Sequence, residues 1–198
     1  MSLYRTLRGA LGPLFQGIFR LKAPLVPVSG GAVVVANHAS NLDPLALSLA
    51  VEPPLAFMAK AEMFKVPLLA PLIRSLGAFP VHRGGGGRPT IEAAIQQAKE
   101  GRLVAMFPEG TRTKDGNLQP LKAGVAIIAL EAGVPILPVA IHGTYRILPR
   151  GRFFPRFGRI RLSVGTPIDA MLFQDHPDKV EALTKEVRGA LEKLLEEA

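Results

Sequence analysis

Cysteine and tryptophan are both absent from this 198-residue chain. Without cysteine there is no disulfide, no thiolate metal ligand and no cysteine nucleophile. With no tryptophan, two tyrosines and aromatics at 6% of residues, the chain offers little for stacking bases, so nucleic acid is not an expected partner. Acids are missing from two long stretches. Residues 1–42 hold Arg5, Arg8, Arg20 and Lys22 but no acid. None stands between Glu131 and Asp169, where Arg146, Arg150, Arg152, Arg156, Arg159 and Arg161 fall. Long apolar runs are also missing. A membrane-spanning helix needs about 20 apolar residues. Residues 23–42 are uncharged, but Pro24, Pro27, Ser29, Gly30, Gly31, Asn37, Ser40 and Asn41 break them up, so no transmembrane span is expected. A cleavable signal peptide fits poorly, because charge interrupts the early apolar residues. No G-x-S-x-G elbow presents a serine, and no Gly-Lys-Ser/Thr follows Gly84–Gly87 to make a nucleotide loop.

What is present describes one globular domain. Apolar residues make up 48% and charged residues 20%, enough for a sizeable core. The net charge of +8 is unevenly spread: residues 1–168 carry 20 basic against 8 acidic groups, and residues 169–198 carry 4 against 8. The long basic part suits an anionic partner, either a lipid surface or a phosphorylated substrate.

Leu3, Leu7, Leu11, Leu14, Phe15 and Ile18 recur at helical spacing among Arg5, Arg8, Gln16 and Arg20. Residues 1–22 therefore read as a basic amphipathic helix, bound either to a membrane surface or to the domain's own core. Beyond it, residues 23–198 alternate apolar strands with helical patterns. Strands are expected at 32–37, 55–60, 78–82, 102–107, 135–141 and 159–165, and helices at 44–51, 62–76, 89–100, 121–132 and 177–197. Near-continuous apolar strands between helices predict an α/β fold with a mainly parallel central sheet flanked by helices. Residues 64–79 are apolar on more than one face, which suits a buried core helix or, alternatively, an acyl-chain groove or a membrane-dipping surface.

Four short segments carry polar chemistry. In "VVVANHASNLDP", His38 precedes Asp43 by five residues. A carboxylate that fixes the tautomer of a histidine makes a general base, yet Asp43-Pro44 also reads as the start of a helix. "GAFPVHRGGGG" places Arg83 beside a glycine-rich loop, either as a phosphate clamp or as a surface cation. "FPEGTR" offers Glu109, Gly110, Thr111 and Arg112 at the end of an apolar run, where open α/β sheets bind ligands. "VPILPV" carries Pro138 inside a strand, which points to an edge or bulged strand.

In this order and spacing the segments resemble the motif blocks of the 1-acylglycerol-3-phosphate acyltransferase family. N-H-x4-D matches Asn37, His38 and Asp43. The second block matches Gly77, Phe79, Val81 and Arg83, and the third runs from Phe107 to Arg112. The fourth is Val134, Pro135, Pro138 and Val139, and a Lys-x-Glu-x-Phe segment matches Lys60, Glu62 and Phe64. Thr113 stands where the family more often has serine. The resemblance covers residues 30–145 and makes 23–198 a glycerolipid acyltransferase domain. It implies acyl transfer from acyl-CoA or acyl-carrier protein to lysophosphatidate, with no cofactor and no metal.

His38 would be the base and Asp43 its orienting partner. Arg83, Glu109, Gly110, Thr111 and Arg112 would form the phosphate site, with Glu109 orienting Arg112, and Lys60 would be an oxyanion or phosphate donor. His82, His142 and His176 are expected to be structural or exposed. The charge pattern together with the resemblance implies a peripheral protein on the cytoplasmic face of an anionic membrane. Rival readings are a lipid-phosphate-binding module without chemistry, a thioester hydrolase, and transfer to another lysophospholipid or to glycerol-3-phosphate.

Overall fold

All six apolar runs become strands of one sheet, and the strands inside it carry aliphatic residues on both faces, so both sides can be covered. The computed structural model describes residues 9, 12–13, 15–22, 26–27, 30–52, 55–67, 69–75, 77–81 and 87–197. A two-residue strand, β1 (Val26–Pro27), pairs in parallel with β3 (Val51–Glu52). The main sheet contains β2 (Ala32–Ala36), β4 (Leu55–Lys60), β5 (Phe79–Val81), β6 (Leu103–Met106), β7 (Ile136–His142) and β8 (Arg161–Val164), in the order β5-β4-β6-β2-β7-β8. Every pairing is parallel except β7 with β8. The carboxyl ends of β2, β4, β5, β6 and β7 consequently share one edge of the sheet.

The period of two along a strand divides the apolar residues between two cores. Ala32, Val34 and Ala36 of β2 face one cluster, while Val33 and Val35 face the other. The first cluster is closed by α1 (Asp43–Ala50) through Leu47, and by Phe15 and Phe19 of the N-terminal segment. The second is closed by α3 (Arg88–Lys99), α4 (Gly124–Ala132) and α5 (Lys179–Glu196), through Ile95, Ile128 and Leu191 among others. Burying each of these large side chains contributes about 1.5–3 kcal/mol. Residues 15–19 are helical, with Phe15 and Phe19 in the core and Ile18 exposed. Leu3, Leu7, Leu11 and Leu14 lie outside the described residues.

Two expectations need correction. The helix expected over 62–76 divides into a 3-10 turn at Ala61–Lys65 and α2 (Leu69–Ser75). Pro67 stands at the division, and a proline inside a helix removes a hydrogen bond and clashes with the preceding turn. Ala70 and Ile73 of this stretch are buried, whereas Val66 and Pro71 face outward.

The second concerns the edge reading of Pro138, because β7 is an interior strand with β2 on one side and β8 on the other. The bulge reading holds, since one extra residue lies between the Val139–Val164 and Ile136–Ile168 pairs. The Pro138 carbonyl accepts from Gly165 N at 2.9 Å, on the β8 side. The missing N–H faces that same side, where the ladder has ended at Val164 and resumes only at the Ile136–Ile168 bridge. No donor is needed there, so the sheet tolerates the proline.

Gly77 shows why the second motif begins with glycine. Its φ is +84°, and a Cβ there would lie 2.2 Å from the Leu55 carbonyl oxygen. Only glycine lets the chain turn and approach so closely where β5 begins to run beside β4.

Candidate active site

The edge holding the parallel strands' carboxyl ends gathers the polar segments. β2 ends at Ala36, and the side chain of Asn37 continues the ladder in place of backbone. Its Nδ2 donates to Ile141 O at 3.0 Å and its Oδ1 accepts from Ile141 N at 2.7 Å. The main chain is thereby released to turn at His38 while remaining bonded to β7.

His38 Nδ1 lies 2.9 Å from Asp43 Oδ2. An ionised carboxylate only accepts, so Nδ1 carries the proton and Nε2 is left with its lone pair free. The same Asp43 oxygen accepts from Ala39 N and Ser40 N, each at 2.7 Å. The Asp43 side chain has no solvent exposure, against 18% for His38. The imidazole also stacks on Phe107, with centroids 4.2 Å apart and planes 19° from parallel. Asp43 is the first residue of α1, but its side chain does not cap that helix, whose N-cap is Leu42. Both carboxylate bonds to backbone point back into the preceding turn. The Ser40 hydroxyl donates to Leu148 O at 2.8 Å and ties this turn to the chain beyond β7.

The 107–119 loop leaves β6 beside it. Thr113 N donates to His38 O at 2.8 Å, and His38 N donates to Glu109 Oε1 at 2.5 Å. The other Glu109 oxygen accepts from Gln119 N at 2.9 Å. Glu109 is thus buried against two backbone donors and does not pair with Arg112, a correction to the role expected for it. Its burial raises the carboxyl pKa, while the Gln119 and His38 amides pull it back down. Arg112 is half-buried and makes no hydrogen bond or ion pair to another described residue. Gly110 and Thr111 are exposed. Gly110 has φ of +71°, and a Cβ on it would meet Lys122 Nζ at 2.6 Å, so the Lys122 amine lies directly over this glycine. The Thr113 hydroxyl donates to Asp115 Oδ1 at 2.7 Å and accepts from Gly116 N at 3.1 Å, work that a serine hydroxyl would do equally well. That bond and those from Asn117 hold the Asp115 carboxyl down at about 2.

Lys60 is the last residue of β4, placing its backbone on the same edge, in register with Val81 of β5. His82 and Arg83, which follow Val81, lie outside the described residues. His142 ends β7 with Nε2 3.4 Å from Ser163 Oγ, and burial, with the Arg161 charge, lowers its pKa. His176 is exposed. Among the described residues, no group of three or more His, Asp or Glu side chains is placed to hold a metal ion. The sequence reading missed Phe107 as the floor under His38, Gln119 as a second anchor of Glu109, and Lys122. Of these, only Phe107 had a signal, an aromatic ring at a strand end within the motif itself.

The chain matches the Acyltransferase family over residues 15–142. It is 30% identical over 176 residues to the 1-acyl-sn-glycerol-3-phosphate acyltransferase of Bacillus subtilis, covering 85% of each chain. Identity to the protein of that name from Escherichia coli is 31% over 193 residues, 96% of this chain and 77% of the relative. The chloroplastic relative BAT2 of Brassica napus is 31% identical over 179 residues, and the chain spans about half of it, 48%. Among solved structures, the 1-acyl-sn-glycerophosphate acyltransferase PlsC of Thermotoga maritima superposes with a TM-score of 0.78 at 30% identity. That match covers 98% of this chain and 78% of the other.

Proposed function

Because this chain belongs to the acyltransferase family, we propose that it transfers a fatty acyl group from acyl-CoA or acyl-carrier protein to the sn-2 hydroxyl of 1-acylglycerol-3-phosphate, giving phosphatidate. The observation that carries this reading is the His38 ring, held through Nδ1 on buried Asp43 with Nε2 free. Nε2 takes the proton of the acceptor hydroxyl as its oxygen attacks the thioester carbonyl. The C–S bond then breaks, and the departing thiolate recovers that proton from His38. Asp43 stabilises the imidazolium that exists between the two transfers. Transfer is direct, with no acyl-enzyme.

Arg112 holds the acceptor's phosphate, since an unpaired guanidinium is free to accept it bidentately. Gly110 and Thr111 shape that site, Lys122 adds a second cation, and the family resemblance adds Arg83 as a phosphate ligand and Lys60 as an oxyanion or phosphate donor. Glu109 does not touch phosphate; it braces the loop against the His38 turn. The reaction takes place at the cytoplasmic surface of a membrane, with the protein attached peripherally. Among the described residues no helix is long and apolar enough to cross a membrane.

Thiol release from an acyl-CoA, with and without lysophosphatidate, tests the proposal in wild type and His38→Ala. The expected result is acceptor-dependent release that disappears in the variant. Release independent of the acceptor would make the protein a thioesterase. Release only from acyl-carrier protein would fix the donor.

A further inference from the structure

Eleven residues past β7 the chain does something a soluble surface rarely does. Phe153, Phe154 and Phe157 are 91%, 84% and 94% exposed. A single exposed apolar side chain is ordinary, but three aromatic rings within five residues mark a surface meant to be covered. They represent three of the chain's ten phenylalanines. Arg150, Arg152, Arg156 and Arg159 surround them, all exposed, in a stretch with no acid between Glu131 and Asp169.

The loop is free at its tip and fixed at its neck. Ile147, Leu148 and Ile160 are buried at its base, and Arg156 N donates to Ile147 O at 2.9 Å across it. Ile160 N donates to Phe19 O at 2.9 Å, so the N-terminal segment, with Ile18 exposed, adjoins the loop's exit. The Ser40 hydroxyl bonds Leu148 O, which joins the neck to the turn that carries His38 and Asp43. The rings and cations therefore project from the edge of the sheet where the polar residues gather.

We infer that residues 149–159 form a docking finger that inserts its phenylalanines into an anionic lipid leaflet while its arginines engage the headgroups. Aromatic rings settle at the boundary between headgroups and chains, and cations on the same segment add electrostatic attraction that salt weakens. Lipid is favoured over single-stranded nucleic acid because the finger stands next to a site whose proposed acceptor is itself a lipid; only this choice of partner rests on the proposed function. Docking through the finger turns the His38 edge toward the membrane, where an acceptor embedded by its acyl chain has its free hydroxyl.

The absence of tryptophan supplies a clean reporter. In Phe154→Trp, emission is expected to shift to the blue on vesicles of phosphatidylglycerol and phosphatidylcholine, and to be quenched by lipid brominated along the acyl chain. Phosphatidylcholine alone should give a smaller shift. Phe153→Ser/Phe154→Ser/Phe157→Ser should weaken partition into the mixed vesicles by about 100-fold. Its Tm and its turnover of a short-chain, fully soluble lysophosphatidate should be unchanged.

Co-sedimentation with vesicles while the tryptophan stays unshifted and unquenched would overturn the inference. So would undiminished binding by the triple variant, or a shift with single-stranded oligonucleotide and none with vesicles. If the triple variant fails to fold, the tryptophan readout still decides. A quenched tryptophan in a protein that transfers no acyl group would leave the finger standing and remove the proposed reaction.

Discussion

The two loops that meet at His38 use buried carboxylates in opposite ways. In the 37–43 turn, one Asp43 oxygen collects two backbone donors and the imidazole, so that all of its hydrogen bonds serve the position of one ring. In the 107–119 loop, the Glu109 carboxylate joins two backbone segments, while Arg112 and the Lys122 amine are left without acidic partners of their own among the described residues. In the proposed reaction the first loop serves proton transfer and the second receives the acceptor's phosphate. That difference predicts which kinetic parameter each substitution should move.

Asp43→Asn should have the largest effect. It replaces the charged acceptor facing Nδ1 and leaves the ring free to take the other tautomer. The maximal rate is expected to fall about 10^3- to 10^4-fold with little change in acceptor KM. A loss seen mainly in KM would erase the distinction between the loops.

Glu109→Gln tests the brace between the two loops. An amide offers only one acceptor for the two backbone donors, leaving one buried group unpaired at a cost of about 1–3 kcal/mol. Tm should drop by roughly 3–10 °C, and kcat should fall roughly 10- to 100-fold as the His38 turn shifts. An unchanged Tm would mean that Glu109 does not brace the two loops.

Arg112→Ala should cost about 2–4 kcal/mol in transition-state binding, read as a 30- to 1,000-fold loss in kcat/KM for the acceptor with KM for the donor unmoved. Equal efficiency in the variant would remove Arg112 from the phosphate site.

The smallest effect concerns Asp115, whose carboxyl sits at about 2 instead of 3.8. A depressed acid contributes stability above its unfolded value and loses it as pH falls through the folded one. Wild type should therefore lose more Tm than Asp115→Asn between about pH 4 and pH 2. Parallel melting curves across that window would show that the Thr113–Asp115 bond adds nothing to the loop.

The strand pattern was readable in the sequence because apolar residues on both faces of a strand survive only inside a covered parallel sheet. The His38–Asp43 pairing was readable because five residues are too few to separate the two groups once the chain turns at the end of β2. Glu109 was not. Beside an arginine in sequence it reads as half of an ion pair, whereas the turn at Gly110 directs its oxygens to amides at positions 38 and 119. Contacts of that kind are set by the meeting of β2 and β6, which no local pattern encodes. Pro138 misled for a related reason: composition says that an N–H is missing but not which neighbour would have needed it. Residues 149–159 show the converse case, since their arginines were conspicuous as charge, yet only the fold reveals that the phenylalanines among them point away from the core.

Asn37 has a consequence for how substrates are received. Because its side chain substitutes for a strand residue, the step from rigid sheet to His38 contains no soft joint, and the imidazole inherits the stiffness of β2 and β7. In the proposed reaction, a base mounted that way does not travel to meet the acceptor hydroxyl. The orientational entropy of the encounter is therefore lost almost wholly by the substrates as they bind, while the protein surrenders very little of its own.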